Sequence, residues 1–599
     1  MRVGSDTGGT FTDLVDEHGR IAKVLSTPDE PSRALREGLT HLEGGVHLLA
    51  HGTTVATNAL LERNGALTAL VTTAGIADVI EIGRQDRSSL YDPTVDRPEP
   101  IVPRELRFEV TERLDADGSV LVPLDLATLP DLAAVEPSPS AVAVVLLHSD
   151  VAPTHERAVA AALRERYPNL DVSASCEVSP EYRDYERTVT TAVNASLRPT
   201  CRRYLGALSE LAPTVLVLTS EGGLVALDQS LDSPARLLLS GPAGGVQAAA
   251  AVAAANGCAN AISFDMGGTS TDVCLIMGGR PERASERTVA GLPIRLPSLD
   301  VHSIGAGGGS IAALDAGGAL VVGPRSAGAV PGPACYGRGG SAPTVTDANL
   351  VAGRIDRDST FPELGQLDST AAAGALARAG LSAEGVLAVV NANMVRALRH
   401  VSVERGVDPR GLALVAFGGA GPLHACDLAA ELGIGTVIVP ARAGVLSAVG
   451  VLCSPRQREV VRSWPTPLDH AGVATVLDGL AKEAAADLGG DDVEVEVSLD
   501  CRYAGQSHEL RVPTVAAFPS EHRRRNGYDR PDTPIEVTAL RAAARRPAPL
   551  DLLSLPVVVR SGGTGPMIVA EADCTIWIPF GWSARPGEAG ALVLQRSAA

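Results

Sequence analysis

Short apolar runs, separated by glycine turns and by longer mixed segments, set the rhythm of this chain. Over residues 1 to about 180, strand-like and helix-like stretches alternate. The fully apolar AVAVVLL at 141–147 suits a strand buried on both faces, entered through a loop around Pro137 and Pro139. A polar, helix-prone segment, EYRDYERTVTTAVNASLRP at 181–199, leads to TVLVLTSEGG at 214–223, another buried strand closed by a glycine turn. LALVAFGGAGPLHACDLAAELG at 412–433 reads as strand, Gly-rich turn and helix, an arrangement that brings a helix N-terminus close to a ligand. From about 490 the period changes to two: VEVEVSLDCRY at 493–503 alternates as a half-exposed antiparallel strand does, and Arg523, Arg524, Arg525 and Asn526 read as a solvated turn.

One phrase occurs twice, DTGGTFTD at 6–13 and DMGGTSTD at 265–272, each copy between two apolar runs. Each predicts strand, tight turn, strand. Gly8, Gly9, Thr10 and Thr12 in the first copy, and Gly267, Gly268, Thr269 and Thr271 in the second, combine close backbone approach with N–H and hydroxyl donors, which suits phosphate. The flanking Asp6, Asp13, Asp265 and Asp272 would repel a bare phosphate, so they make sense only with a divalent cation or an acid/base role: all four are candidate metal ligands, and Asp6 and Asp265 the candidate catalytic residues. Two such hairpins 259 residues apart imply duplicated subdomains holding a nucleotide between them, not a short-period solenoid.

Composition narrows the function. A net charge of −19 argues against a nucleic-acid partner. Only Lys23 and Lys482 are lysines, so no Gly-rich loop ends in Lys and a P-loop NTPase is excluded. Nine scattered cysteines without a C-x-x-C pair, no leader-like N-terminus and no long apolar run predict a reduced, cytoplasmic protein with no membrane segment. Neither G-x-S-x-G nor H-E-x-x-H occurs.

Weaker candidates remain. Gly307 and Gly308 in GAGGGS are candidate phosphate contacts, and Gly418, Gly419, Ala420 and Gly421 form a candidate adenosine-side loop. His51 heads HGTTVATN, where Thr53, Thr54, Thr57 and Asn58 concentrate donors suited to a small substrate or to a plain helix cap. Asp300 and His302 have the spacing of a metal pair on one strand face, which ordinary hydrogen bonding would also explain. Arg84, Gln85, Asp86 and Arg87 suit either a carboxylate site or a surface turn.

These motifs together resemble the ATP-dependent hydantoinase A/5-oxoprolinase family. The resemblance is carried by both hairpins, HGTTVATNALLERNGALTALVTTAG at 51–75, EYRDYERT at 181–188, SGPAGGV at 240–246, GAGGGSI at 305–311, PGPACYGRGG and TVTDANL within 331–350, ERGVDPR at 404–410, AFGGAGPLHA at 416–425 and GVLSAVGVL at 444–452. Asp184 stands where the family commonly has Glu, and the chain after 511–528 is shortened. The resemblance implies an α/β fold of duplicated actin-like, sugar-kinase-like ATPase domains: an N-terminal family region at 1–180, a central ATPase region at 181–460 and a small, mostly β domain at 490–599. It further implies ATP with Mg²⁺ or Mn²⁺, a cyclic amide or imide opened after phosphorylation of its carbonyl oxygen, and a B-type partner in a hetero-oligomer. A ketone carboxylase subunit of the same family is the nearest alternative, and an actin- or chaperone-like nucleotide switch the alternative from another class.

Overall fold

The computed structural model describes residues 1–9, 11–27, 30–86, 89–92, 94–96, 98–361, 365–490 and 492–597. Each copy of the repeated phrase forms an antiparallel hairpin. In the first, Arg2–Thr7 pairs with Phe11–Asp16 and Asp6 lies opposite Asp13; in the second, Ala261–Met266 pairs with Thr271–Met277 and Asp265 lies opposite Asp272. The apolar runs supply the parallel strands beside them, because such runs are stable only where both faces are covered. Leu48–Thr53 and then Thr214–Leu218 continue the first hairpin in parallel, as Ala413–Phe417 and Thr436–Val439 continue the second. The two sheets therefore share one local strand order. A third sheet, of five strands centred on Thr68–Thr73 and Ala141–Val145, is inserted between Leu48–Thr53 and Thr214–Leu218.

Two helices cross between the large sheets. Gly241–Ala255 runs from the first toward the second, and Leu446–Leu452 returns. They touch backbone to backbone: a Cβ on Gly450 would sit within 3.0 Å of the Gly244 carbonyl, and one on Gly4 within 3.0 Å of the Ala448 carbonyl. This close approach sets one hairpin against the other.

The segment read as a polar helix is the helix Asp184–Leu208, and most of it is buried. Its buried threonine and asparagine groups find partners within the protein: Thr191 Oγ1 donates to the Arg187 carbonyl, and Asn194 Nδ2 donates to Ser173 Oγ while Asn194 Oδ1 accepts from the Ala235 N–H.

Two expectations need correction. Most strands after 490 do not build a sheet of their own: Glu494–Tyr503, Leu510–Val512 and Ile535–Arg546 extend the first sheet through Arg456–Ser463, Leu592–Arg596 and Trp582–Pro586 extend the second through Thr436–Val439, and Met567–Ala570 with Thr575–Ile578 form a separate two-stranded pair. Edge strands offer free backbone groups, and the tail pairs with both edges. Residues 523–526 are not a turn. They are the last turn of the helix Phe518–Asn526, where Arg524 and Arg525 pair back with Glu521. Among the described residues no single helix is long and apolar enough to cross a membrane.

Candidate functional site

The four hairpin aspartates lie close enough to repel one another, although no three of them bring ligand atoms within 4.8 Å of each other. Asp6 feels repulsion from Asp13 and Asp272, and Asp265 feels repulsion from Asp272, Asp6 and Asp13. Burial is the largest cause that pushes the Asp6 carboxyl up to about 7, and it drives Asp265 well above the carboxylate range. Asp6 Oδ1 is shielded from solvent and has no hydrogen-bond partner. Asp265 Oδ2 receives only a long contact from Ser447 Oγ, at 3.4 Å. Crowded carboxylates with an orphaned buried oxygen are costly alone and are matched by a divalent cation, so the residues fit one.

The outer aspartates are better satisfied. Asp13 pairs with Lys23 Nζ at 2.6 Å, and Asp272 accepts from Ser303 Oγ and, at 3.4 Å, from Ser270 Oγ. Lys23 is opposite Asp13 on the neighbouring strand and is also a stabilising charge for Asp6. Sequence reasoning does not single it out as a site residue; a lysine that is one of only two in the chain is the available signal.

The turns offer donors selectively. The Gly8 N–H closes its own hairpin on the Phe11 carbonyl and the Gly267 N–H closes the other on the Ser270 carbonyl, whereas Gly9, Gly268 and Thr269 are exposed at the tips. Thr10 lies outside the described residues. Thr12 and Thr271 face inward instead: Thr12 is buried against Ser26, and Thr271 Oγ1 donates to the Ala306 carbonyl. Gly307 and Gly308 are corrected in the same way. They are buried behind the second turn, with the Gly307 N–H on Ser310 Oγ and the Gly308 N–H on the Gly267 carbonyl, so they brace the turn and have no free N–H for phosphate.

On the predicted adenosine side, Gly418 turns with φ +78°, and a Cβ there would overlap Asp265 Oδ1 and the Met266 carbonyl. Gly418 thus shapes the wall behind Asp265. Gly419 is the exposed member, Ala420 donates its N–H to the Met266 carbonyl, and Gly421 opens the helix Gly421–Leu432. The equivalent place beside the first hairpin is taken by HGTTVATN. A Cβ on Gly52 would lie 3.0 Å from Asp6 Oδ1, and one on Gly241, at the start of a crossing helix, 3.9 Å from it and 3.5 Å from Thr54 Cγ2. Sequence reasoning missed Gly52, Gly241 and Ser447, because only the fold sets them against the aspartates.

The expected substrate residues divide. His51 is fully buried, with Nδ1 2.8 Å from Ser5 Oγ and Nε2 2.7 Å from Tyr204 Oη, and burial lowers its pKa to about 3. It is a neutral strut in the core and cannot meet a ligand. Thr53 is buried, and Thr57 Oγ1 accepts from the Leu239 N–H. Thr54 and Asn58 keep solvent contact. The Asp300 carboxylate pairs with Arg405, and the His302 ring packs on His400 with centroids 4.3 Å apart, contacts of the ordinary kind that the spacing also allowed.

Two family descriptions match the chain: Hydantoinase/oxoprolinase N-terminal region over residues 2–167 and Hydantoinase/oxoprolinase over 187–460. The caprolactamase subunit alpha of Pseudomonas jessenii is 36% identical over 96% of this chain and 91% of its own. The acetophenone carboxylase gamma subunit of Aromatoleum aromaticum is 32% identical over 85% and 78%. The crystal structure of the ATP-dependent caprolactamase from Pseudomonas jessenii superimposes with a TM-score of 0.87 at 32% identity, covering both chains completely.

Proposed function

This chain belongs to the hydantoinase/oxoprolinase family, and from that premise we propose that it is the ATP-binding subunit of an enzyme that opens a cyclic amide or imide by phosphorylating its carbonyl oxygen. One observation carries the reading. Asp6 and Asp265, poorly satisfied and on matching hairpins, stand beside exposed turn N–H groups at Gly9, Gly268 and Thr269. We read the two large sheets as duplicated actin-like ATPase domains, a reading supported by their common strand order.

Resonance makes an amide carbonyl a poor electrophile; transfer of the γ-phosphoryl group to its oxygen removes that protection and lets water attack the carbon. Asp6 and Asp265 would hold Mg²⁺ or Mn²⁺, which when bound neutralises charge on the phosphates. The turn N–H groups orient the phosphates, Lys23 offsets the charge of Asp13, and Gly419 with Ala420 leaves room for adenosine. Thr54 and Asn58 are the remaining candidates to face the amide. Catalysis of the transfer rests mainly on positioning and fixed dipoles.

The name of the Pseudomonas relative supports a lactam, and that of the Aromatoleum relative supports a second reading, a ketone carboxylase subunit. The test is ADP release by the purified chain, with and without a co-purified B-type partner, against caprolactam, 5-oxoproline, a hydantoin, and acetophenone plus bicarbonate. Amide-dependent turnover that needs the partner supports the proposal. Turnover only with ketone plus bicarbonate favours the carboxylase, and coupled ring opening by this chain alone overturns the subunit reading.

A further inference from the structure

A second cavity, of about 480 Å³, is lined by Arg84, Tyr182, Arg183, Asp184, Tyr185, Arg502 and Ser507. Three segments remote in sequence meet here: the loop after the short helix Val79–Ile82, the start of the helix Asp184–Leu208, and the end of the strand Glu494–Tyr503. The cavity is remote from the aspartates. Tyr204, bonded to His51, lies on the same helix, which runs roughly 30 Å from Asp184 at about 1.5 Å per residue.

Its guanidiniums are held but not exhausted. Arg84 places Nε and Nη2 on Glu186, at 2.7 and 2.5 Å. Arg502 places Nε on Glu536 at 2.6 Å and Nη1 on Tyr182 Oη at 3.4 Å. Arg183 places Nη2 on Glu509 and the Ser507 carbonyl, while its Nε is buried without a partner. An arginine has five N–H donors, so each fork retains donors beyond these contacts. The Tyr182 ring is flanked by Arg183, Arg295 and Arg502, at 5.4, 5.4 and 5.7 Å from its centroid, which fixes the guanidiniums in place. Arg183 itself caps the helix at φ +83°, a conformation that is strained for a side chain of this size and that is kept where a site needs it.

We propose that this cavity binds the carboxylate of a small molecule, at a site separate from the nucleotide. Planar forks and phenol hydroxyls suit the two oxygens of a carboxylate, and the helix start favours negative charge. The shared chemistry admits a ring-closed carboxylate or a ring-opened acid. Because Glu186, Glu509 and Glu536 already occupy part of each fork, the site will bind in the millimolar range and discriminate by shape more than by charge.

The test is calorimetry of the full chain without nucleotide, using 5-oxoproline, glutarate and inorganic phosphate as probes. Arg84→Gln alone would strand the buried Glu186 carboxylate, so the double variant Arg84→Gln/Glu186→Gln is compared with Arg502→Lys, which keeps the charge and loses the planar fork. At least one carboxylate should bind, each variant should weaken it tenfold or more, and Mg-ATP affinity and the melting temperature should stay near wild type. Preference for 5-oxoproline identifies the ring-closed source, and preference for glutarate the ring-opened one. The proposal is overturned if neither carboxylate binds below 10 mM (about 2.7 kcal/mol), if phosphate alone binds, if ATP displaces the carboxylate competitively, or if both folded variants bind like wild type.

Discussion

Gly418 and Gly419 are neighbours, yet the structure assigns them opposite tolerances. At Gly418 the backbone has φ +78°, and an added Cβ would overlap Asp265 Oδ1 and the Met266 carbonyl; at Gly419 nothing lies within 4 Å of an added Cβ. Gly418→Ala therefore carries about 1–2 kcal/mol of left-handed backbone strain. Relief of the overlap costs about 1–3 kcal/mol more, because the Met266 carbonyl is fixed in the hairpin and the Asp265 carboxylate must yield. Moving that carboxylate by roughly an ångström should reduce turnover on the order of 10²-fold, since phosphoryl transfer depends on positioning. Gly419→Ala should change stability by less than about 0.5 kcal/mol and turnover at saturating ATP by less than about threefold, any crowding of adenosine showing instead as a raised KM for ATP. The assay is substrate-dependent ADP release with thermal melts of both variants beside wild type. Near-wild-type turnover of a folded Gly418→Ala, or equal damage from Gly419→Ala, refutes the claim that Gly418 is required by the Asp265 side chain.

Asp6→Asn and Asp265→Asn should each lower turnover on the order of 10²-fold while the protein stays folded, and binding of ATP should lose its dependence on Mg²⁺, as calorimetry with and without the ion will show. His51 has a folded pKa of about 3 against the ordinary 6.5, so the neutral form favours folding fully above pH 6.5 and that contribution is lost as pH falls toward 3; the full difference is about 5 kcal/mol. Denaturant melts of wild type and His51→Gln across pH 7.5 to 4 should show a steeper loss in wild type, and the KM for ATP should be unchanged. Arg541 is buried against Glu181, Glu459 and Asp500, at 2.7, 3.2 and 2.7 Å, so Arg541→Met strands buried carboxylates and should destabilise by about 3–5 kcal/mol in urea melts. Truncation at residue 490 should not leave a soluble ATPase, since it removes the strands that pair with the edges of both sheets; expression and gel filtration check this.

The repeated phrase announced its own local structure. Two apolar runs around a Gly-Gly turn form a hairpin whatever surrounds them, because turn geometry and period-two alternation are local properties, and Asp6 and Asp265 could be named from sequence for that reason. AVAVVLL, TVLVL and LALVAF were legible as buried strands on the same ground. Alternation fixes that Thr12 and Asp13 face opposite ways, but not which face meets the core. Only packing decided that the threonines turn inward and the aspartates toward one another. The place of His51 is hidden for the same reason: a polar residue just before a helix suits a ligand or the core alike until Ser5 and Tyr204 close around the ring. Pairing between distant segments has no local signal, which is why the division of the C-terminal strands between two sheets stayed hidden. The meeting of Arg84, Tyr182 and Arg502 around one cavity, and the glycine contacts that set one hairpin against the other, depend on the same long-range packing, and no short window of sequence contains it.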